Sequence, residues 1–336
     1  MRTIEKVYGV TCSLICLSGL FELISFLKRR QPIILCYHSI NLTRRNHIYP
    51  DNIVSLQNFE RQIVYLSSKK RVVSLSDLFK YFNGCSGFPP DLVALTFDDG
   101  YYDFFSTAYP VLKRYNMPCT VFPITRFLTT GETKWEDRLA YIINDTKANQ
   151  LNIHIGDKVK LYDLCSSNGR LRCIRELNGF CVKMNEAERD SALSDIEHQL
   201  KVSSESSERI MMKWEEISHL QKDKLVSFGS HTHSHCNLNA ISTETAKLEI
   251  SGSGEELEHF LGSPCRFFCY PFGKRNSFNP EIKKILKSQG FLMAVTTIPG
   301  RVSKRSDLLE LRRISAANDA WYRFKCSLIG FVLQRS

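Results

Sequence analysis

Short apolar runs that stop at polar or charged residues recur along the chain, separated by stretches with apolar residues at three- and four-residue spacing. Leu92-Val93-Ala94-Leu95-Thr96-Phe97 lies between Pro89-Pro90 and Asp98-Asp99-Gly100. A short Val- and Leu-rich run with those bounds predicts a buried strand. Pro32 to His38, Cys119 to Phe122, Leu225 to Gly229, residues 266–270 and residues 291–296 have the same character. Between them, residues 57–68 carry Phe59, Ile63, Val64 and Leu66 at helical spacing. Ser76 to Phe82 opens like a capped short helix, with Ser76 before Asp77. Residues 103–115, 242–260 and 280–289 also read as helices, with Pro110 bending or interrupting the first. Strands that alternate with helices in this way predict a parallel sheet or barrel.

Residues 132–222 break the rhythm. They are more charged and hold helical stretches around 186–200 and 205–221. We read them as a mainly helical insertion, since roughly 90 residues is an uncommon length for a plain loop. The expected organisation is an apolar and basic segment over 1–31, one α/β domain over 32–131 and 223–316, the insertion between them, and a C-terminal surface helix within 317–336.

Val7 to Leu27 is mostly apolar and is followed by Lys28-Arg29-Arg30. The length could span a bilayer. Glu22 inside it and the cations after it argue against a translocated span, and no small-residue cleavage site of a signal peptide is evident. The expectation is a helix lying in the membrane interface, with Leu14, Leu17, Phe21 and Ile24 on its buried face and Lys28 to Arg30 near anionic lipid. A helix packed on the protein's own core and a single-pass anchor are the alternatives. The net charge of +10 and a pI near 9.0 agree with an anionic partner. Without a basic helix with interleaved aromatics or zinc-finger spacing, a membrane surface is expected and nucleic acid is not. The 12 cysteines are scattered, with no Cys-x-x-Cys pair, which fits a reducing compartment. The expected location is therefore cytoplasmic, peripheral at the membrane.

Two clusters carry candidate chemistry. Asp98-Asp99 ends the central run, and burying two like charges is costly unless a cation or hydrogen bonds compensate. A solvated Asp-Gly turn is the alternative. Ser230-His231-Thr232-His233-Ser234-His235 follows another strand, and a four-residue spacing puts His231 and His235 on one side of either a helix or a strand. Two histidines and one carboxylate form a common ligand set for a divalent ion with open positions. Two adjacent acids could supply that ligand and still leave a free base for water. Tyr270-Pro271-Phe272-Gly273 reads as a turn that walls a pocket and points a backbone N–H inward, or as a plain β-turn beside an aromatic pair.

Thr96-Phe97-Asp98-Asp99-Gly100, His231 to His235 and Tyr270 to Gly273, in that order, resemble the motifs of the polysaccharide deacetylase family, the NodB-homology carbohydrate esterases. The resemblance covers roughly residues 33–130 and 223–315 and implies an α/β fold, a distorted (β/α) barrel with fewer than eight strands. It implies that Asp98 is the catalytic base and that Asp99, His231 and His235 hold one divalent metal ion, zinc first, with cobalt or nickel as alternatives. It also implies that the Phe272 N–H helps hold the oxyanion, in a turn shaped by Tyr270 and Pro271. No histidine follows His259, so the acid histidine found late in many members has no counterpart there. Leu35-Cys36-Tyr37-His38 resembles the permuted subgroup that carries this element first, which makes His38 the candidate general acid. Cys269 stands where many members have an arginine, and Arg313 is the candidate replacement.

The implied reaction removes N-acetyl groups from amino sugars of an N-acetylated saccharide, lipid-linked or exported if the membrane expectation holds, and releases acetate. A metal hydrolase acting on another amide or ester, and a catalytically silent scaffold with the same fold, are the alternatives.

Overall fold

The computed structural model describes residues 2–41, 48–155, 158–202, 209–316 and 320–332. Seven parallel strands form the sheet: β1 (Ile33–Tyr37), β2 (Leu92–Asp99), β3 (Cys119–Pro123), β4 (Val226–Phe228), β5 (Phe267–Cys269), β6 (Met293–Pro299) and β7 (Leu311–Ser315). Their spatial order is β5-β6-β7-β1-β2-β3-β4, and Arg71–Val73 adds a short parallel strand beside the start of β2. One parallel bridge, Ser230 to Phe268, joins β4 to β5 and nearly closes the ring. Its hydrogen bonds are Ser230 N–H to the Phe267 carbonyl at 2.9 Å and Cys269 N–H to the Ser230 carbonyl at 2.8 Å. The α/β barrel expected of the sequence is thus present.

The strands read as continuous apolar runs because both of their faces are covered. Ile33, Leu35, Val93, Leu95, Phe97 and Val121 pack outward with Phe59, Ile63 and Leu66 of the helix Leu56–Lys69. The alternate residues Ile34, Ala94, Phe122, Phe267, Val295 and Leu311 share a second cluster inside the barrel. Continued to the strand ends, the inward alternation carries Cys36, Asp98, Cys269 and Arg313 into one layer at the C-terminal mouth. Sites on parallel barrels sit at that face.

Several local expectations shift. The short helix is Leu75–Asn83 and its cap is Ser74, not Ser76: the Ser74 hydroxyl accepts from Asp77 N–H at 3.0 Å. Pro110 does not interrupt its helix. A π-helical turn, Phe104–Ala108, precedes it, and Pro110 sits in the first turn of Tyr109–Arg114, where a missing N–H costs little. β7 had no strand signal beyond its own five residues, two of which are arginines.

The insertion is mainly helical, with Trp135–Asp145, Ser167–Cys181 and Glu186–Leu200 packed around Leu139, Ile143, Leu177 and Leu193. It also contains an antiparallel hairpin, Gln150–Ile155 with Lys158–Asp163, that the charged alternation of its strands concealed. Of the helix expected over 205–221, residues 205–208 lie outside the described residues and the helix runs Trp214–Gln221.

The N-terminal segment is two helices, Arg2–Leu17 and Leu20–Leu27, bent by 80° at a break whose Gly19 has φ 78°. Among the described residues, no single helix is long and apolar enough to cross a membrane, and only this bent pair passes together. Phe21 does not face outward as expected. It is buried, with the Lys325 ammonium 4.2 Å above its ring, while Lys325 also pairs with Glu22 at 3.2 Å. The helix Trp321–Leu328 that supplies Lys325 packs against both N-terminal helices.

Candidate active site

Asp98 ends the inward row of β2. Arg313, from the inward row of β7, grips it in bidentate fashion: Nη1 to Oδ1 at 2.7 Å and Nη2 to Oδ2 at 2.6 Å. Thr96 Oγ1 and the Thr296 carbonyl accept from the same guanidinium at 2.9 and 2.8 Å. Two thiols, Cys36 and Cys269, lie 3.3 and 3.4 Å from Asp98 Oδ2. Burial alone would raise the Asp98 pKa, but Arg313 outweighs it and holds the carboxyl well below the usual range. Burial pushes both thiols well up, so they remain neutral donors. His38 Nε2 stands 3.9 Å from Asp98 Oδ2. Burial lowers its pKa, so the ring is neutral near pH 7.

Asp99 has φ 73°, a conformation rarely adopted outside glycine and asparagine, which turns its side chain across the mouth beside Asp98. Its Oδ1 lies 3.5 Å from His231 Nε2 and 3.5 Å from His235 Nε2. The histidine segment is neither helix nor strand. It is a loop in which Thr232 and His235 both take positive φ, tied down where Glu249 accepts from the His233 and Ser234 N–H groups. His233 points elsewhere, 3.2 Å from Thr125 Oγ1 and 3.3 Å from Glu256. His231 Nδ1 is 2.7 Å from the Cys269 carbonyl; a carbonyl only accepts, so Nδ1 carries the proton and Nε2 presents a lone pair.

Asp99, His231 and His235 fit a tetrahedral divalent ion. Two ligands about 2.1 Å from such an ion lie about 3.4 Å apart, close to the separations found. All three are buried and converge. When bound, such an ion supplies Lewis acidity, acidifying a water and drawing charge from a carbonyl oxygen.

Phe272 has φ 60°, and Gly273 follows at φ 59°, where an added Cβ would come within 2.5 Å of Thr297 N. The strained turn sets the Phe272 ring 5.1 Å from that of His235. Tyr270, a sequence candidate, turns its side chain away from the mouth. It is buried in the core, stacked on Phe278, and its hydroxyl donates to the Leu309 carbonyl at 2.8 Å. Its contribution is to anchor the turn, not to touch a ligand.

Lys134 and Glu136 were not found by sequence reasoning, because both lie in the insertion, outside the resemblance. Lys134 Nζ is 2.5 Å from Asp99 Oδ2, and both groups are buried. Burial would lower Lys134, but Asp99 and its acidic neighbours raise it, and Lys134 in turn holds Asp99 well down against its own burial. Glu136 Oε1 is 3.5 Å from His235 Nδ1, and burial pushes the Glu136 pKa up to about 7. Cys36 did leave a signal: it lies two residues before His38, which directly follows β1, and its sulfur comes 4.0 Å from His38 Nδ1.

The polysaccharide deacetylase family profile matches residues 86–154 and 192–294, just over half of the chain. YxkH of Bacillus subtilis, named as a polysaccharide deacetylase by inference, is 23% identical over 66% of this chain and 50% of its own length. A Staphylococcus aureus poly-β-1,6-N-acetyl-D-glucosamine N-deacetylase is 38% identical over 72 residues, 21% of this chain and 25% of its own. The chain thus spans half or less of the curated relatives it matches. The fold is shared with the Streptococcus pyogenes deacetylase PplD, solved with acetate (TM-score 0.61, 18% identity, 89% of this chain and 98% of that one). It is shared also with IcaB of Ammonifex degensii (TM-score 0.57, 20% identity, 89% and 97%). With the motifs in place at the mouth of a parallel barrel and the profile matched across them, this chain belongs to the polysaccharide deacetylase family.

Proposed function

We propose that the chain is a metal-dependent hydrolase that removes acetyl groups from N-acetylated amino sugars of a poly- or oligosaccharide, zinc being the first choice of ion. The observation that carries this reading is the Asp99–His231–His235 donor set beside a base, Asp98, kept ionised by Arg313. Asp99, His231 and His235 hold the ion. Asp98 takes a proton from the attacking water. The Phe272 N–H donates to the oxygen that gains charge, a contact worth about 3–4 kcal/mol. His38, neutral at rest, receives the proton by way of Asp98 Oδ2 and passes it to the departing amine. Atoms balance as acetate and a free amino sugar. The name of the Staphylococcus aureus relative supports a β-linked N-acetylglucosamine polymer as the first substrate to try.

The test is metal content after mild purification without chelator, paired with acetate release from N-acetylated oligosaccharides. About one divalent ion per chain is expected in the wild type and near none in His231→Ala/His235→Ala, with acetate release lost in the variant. Equal emptiness of the two proteins, even after soaking with zinc, cobalt or nickel, would overturn the reading and favour a silent scaffold.

The same proposal places the protein at a membrane surface. Val10, Leu14, Leu17, Leu23, Phe26 and Leu27 stand exposed on the bent helix pair, and Lys28, Arg29 and Arg30 follow it. The Arg29 guanidinium lies over the Phe26 ring at 4.2 Å, and Lys325 offsets Glu22, the acid that would otherwise oppose insertion. Such an apolar face rimmed by cations suits anionic lipid. Leu17→Ser/Leu27→Ser should lower co-sedimentation with phosphatidylglycerol vesicles at least 10-fold, since each buried leucine is worth about 1.5–3 kcal/mol. A wild-type protein that stays in the supernatant would sink the assignment.

A further inference from the structure

The first turn of the Trp135–Asp145 helix enters the mouth of the barrel from the insertion and brings three charged side chains with it. Asp137 fixes this helix end to the barrel. It accepts from the Tyr101 hydroxyl at 2.7 Å and from the Tyr49 N–H at 2.8 Å, and Tyr101 follows Asp99 and Gly100 directly. Lys134, the residue before the helix, occupies Asp99 Oδ2 and leaves Oδ1 toward the two histidines. Glu136 faces the third ligand. Its Oε1 lies 3.5 Å from His235 Nδ1, a few tenths of an ångström beyond an ordinary hydrogen bond. Both residues are more than nine-tenths buried, and neither His235 Nδ1 nor Glu136 Oε2 has a hydrogen-bond partner. Buried polar atoms are rarely left so, because each costs on the order of 1–3 kcal/mol. The unpartnered Nδ1 thus faces a carboxylate whose nearer oxygen, Oε1, is 3.5 Å away and whose other oxygen has no partner, a pair that a small rotation of either side chain closes.

We propose that Glu136 is the positioning residue for His235: its carboxylate takes the Nδ1–H, which fixes the tautomer and turns the Nε2 lone pair toward the point on which Asp99 Oδ1 and His231 Nε2 also converge. His231 already has the equivalent arrangement, with the Cys269 carbonyl as its acceptor. A carboxylate acceptor makes an imidazole a better donor to a metal than an unpaired ring. The inference rests on the metal-dependent reading above and adds to it that the insertion is part of the metal site.

The test is a zinc titration of the full chain, stripped of metal, in competition with a chromogenic chelator. Glu136→Gln and Glu136→Met are compared with the wild type and with His231→Ala/His235→Ala. The expected result is zinc affinity about 10- to 100-fold weaker in the Glu136 variants, Met more than Gln, with the metal-free melting temperature of Glu136→Gln not lowered. Wild-type affinity in both Glu136 variants would overturn the inference and leave the metal reading standing. A metal-free Glu136→Gln that melts far below wild type would assign Glu136 a purely structural role and also overturn it. Wild type binding zinc no better than the double-histidine variant would remove the metal reading, and the inference with it.

Discussion

Asp98→Asn is expected to lower acetate release by about 10²- to 10⁴-fold, the usual contribution of a positioned general base, while metal content stays at the wild-type level. The two effects separate because the proposed metal donors are Asp99, His231 and His235, and Asp98 stands beside them held by Arg313. Asparagine has nearly the same shape, so Asp99 keeps its turn. The substitution also removes half of a buried ion pair. Arg313 keeps Thr96 Oγ1 and the Thr296 carbonyl, but its charge loses its counterion, so the melting temperature should fall together with turnover. Near-normal turnover in a folded, metal-loaded Asp98→Asn would show that another group removes the proton.

Arg313→Met is the second large effect and has a signature in pH. The wild-type guanidinium keeps the Asp98 pKa well below normal although the carboxyl is buried. Without it, burial dominates and the pKa rises. The acidic limb of kcat/KM against pH should therefore move to higher pH, because the base is protonated over a wider range. Stability follows the same linkage. A carboxyl whose folded pKa is depressed contributes stability that is present above its unfolded value of about 4 and is lost as pH falls through the folded value. In the variant the sign reverses: the folded pKa lies above the unfolded one, and stability drops as pH rises between them. The gap in melting temperature between wild type and Arg313→Met should be widest near neutral pH, where breaking a buried pair costs about 3–5 kcal/mol, and should narrow in acid. A gap independent of pH, with an unmoved acidic limb, would mean that Arg313 supports the barrel without tuning the base.

Most of the barrel was legible because its strands are covered on both faces, so each appears as an unbroken apolar run bounded by turn residues. β1, β2 and β3 were found in this way. β7 was not, since an arginine that is buried beside a carboxylate looks in the sequence like an exposed one. The clustered histidines and paired aspartates were visible for a local reason: the barrel carries each group at the end of one strand. What brings them within 3.5 Å of one another is the pairing of β2, β3 and β4 side by side, which no local pattern records. Lys134 and Glu136 were illegible for the same reason. They come from a helix whose own pattern describes only its packing within the insertion, and their partners lie 35 and 99 positions away. The arginine that grips Asp98 illustrates the opposite case. A small cysteine at 269 leaves space that Arg313 fills from the neighbouring wall, with its Nη2 3.2 Å from the Cys269 sulfur.

The single bridge between β4 and β5 gives the ring one thin joint, and the proposed active site straddles it. His231 lies just past that joint on one side and bonds the Cys269 carbonyl on the other. Every other pair of neighbouring barrel strands is held by a longer ladder. Local opening, which starts where the backbone has fewest ladder bonds, therefore parts His231 from its acceptor and scatters the donor set before the remaining strands separate. On warming, catalytic competence should be lost below the temperature at which the barrel itself unfolds.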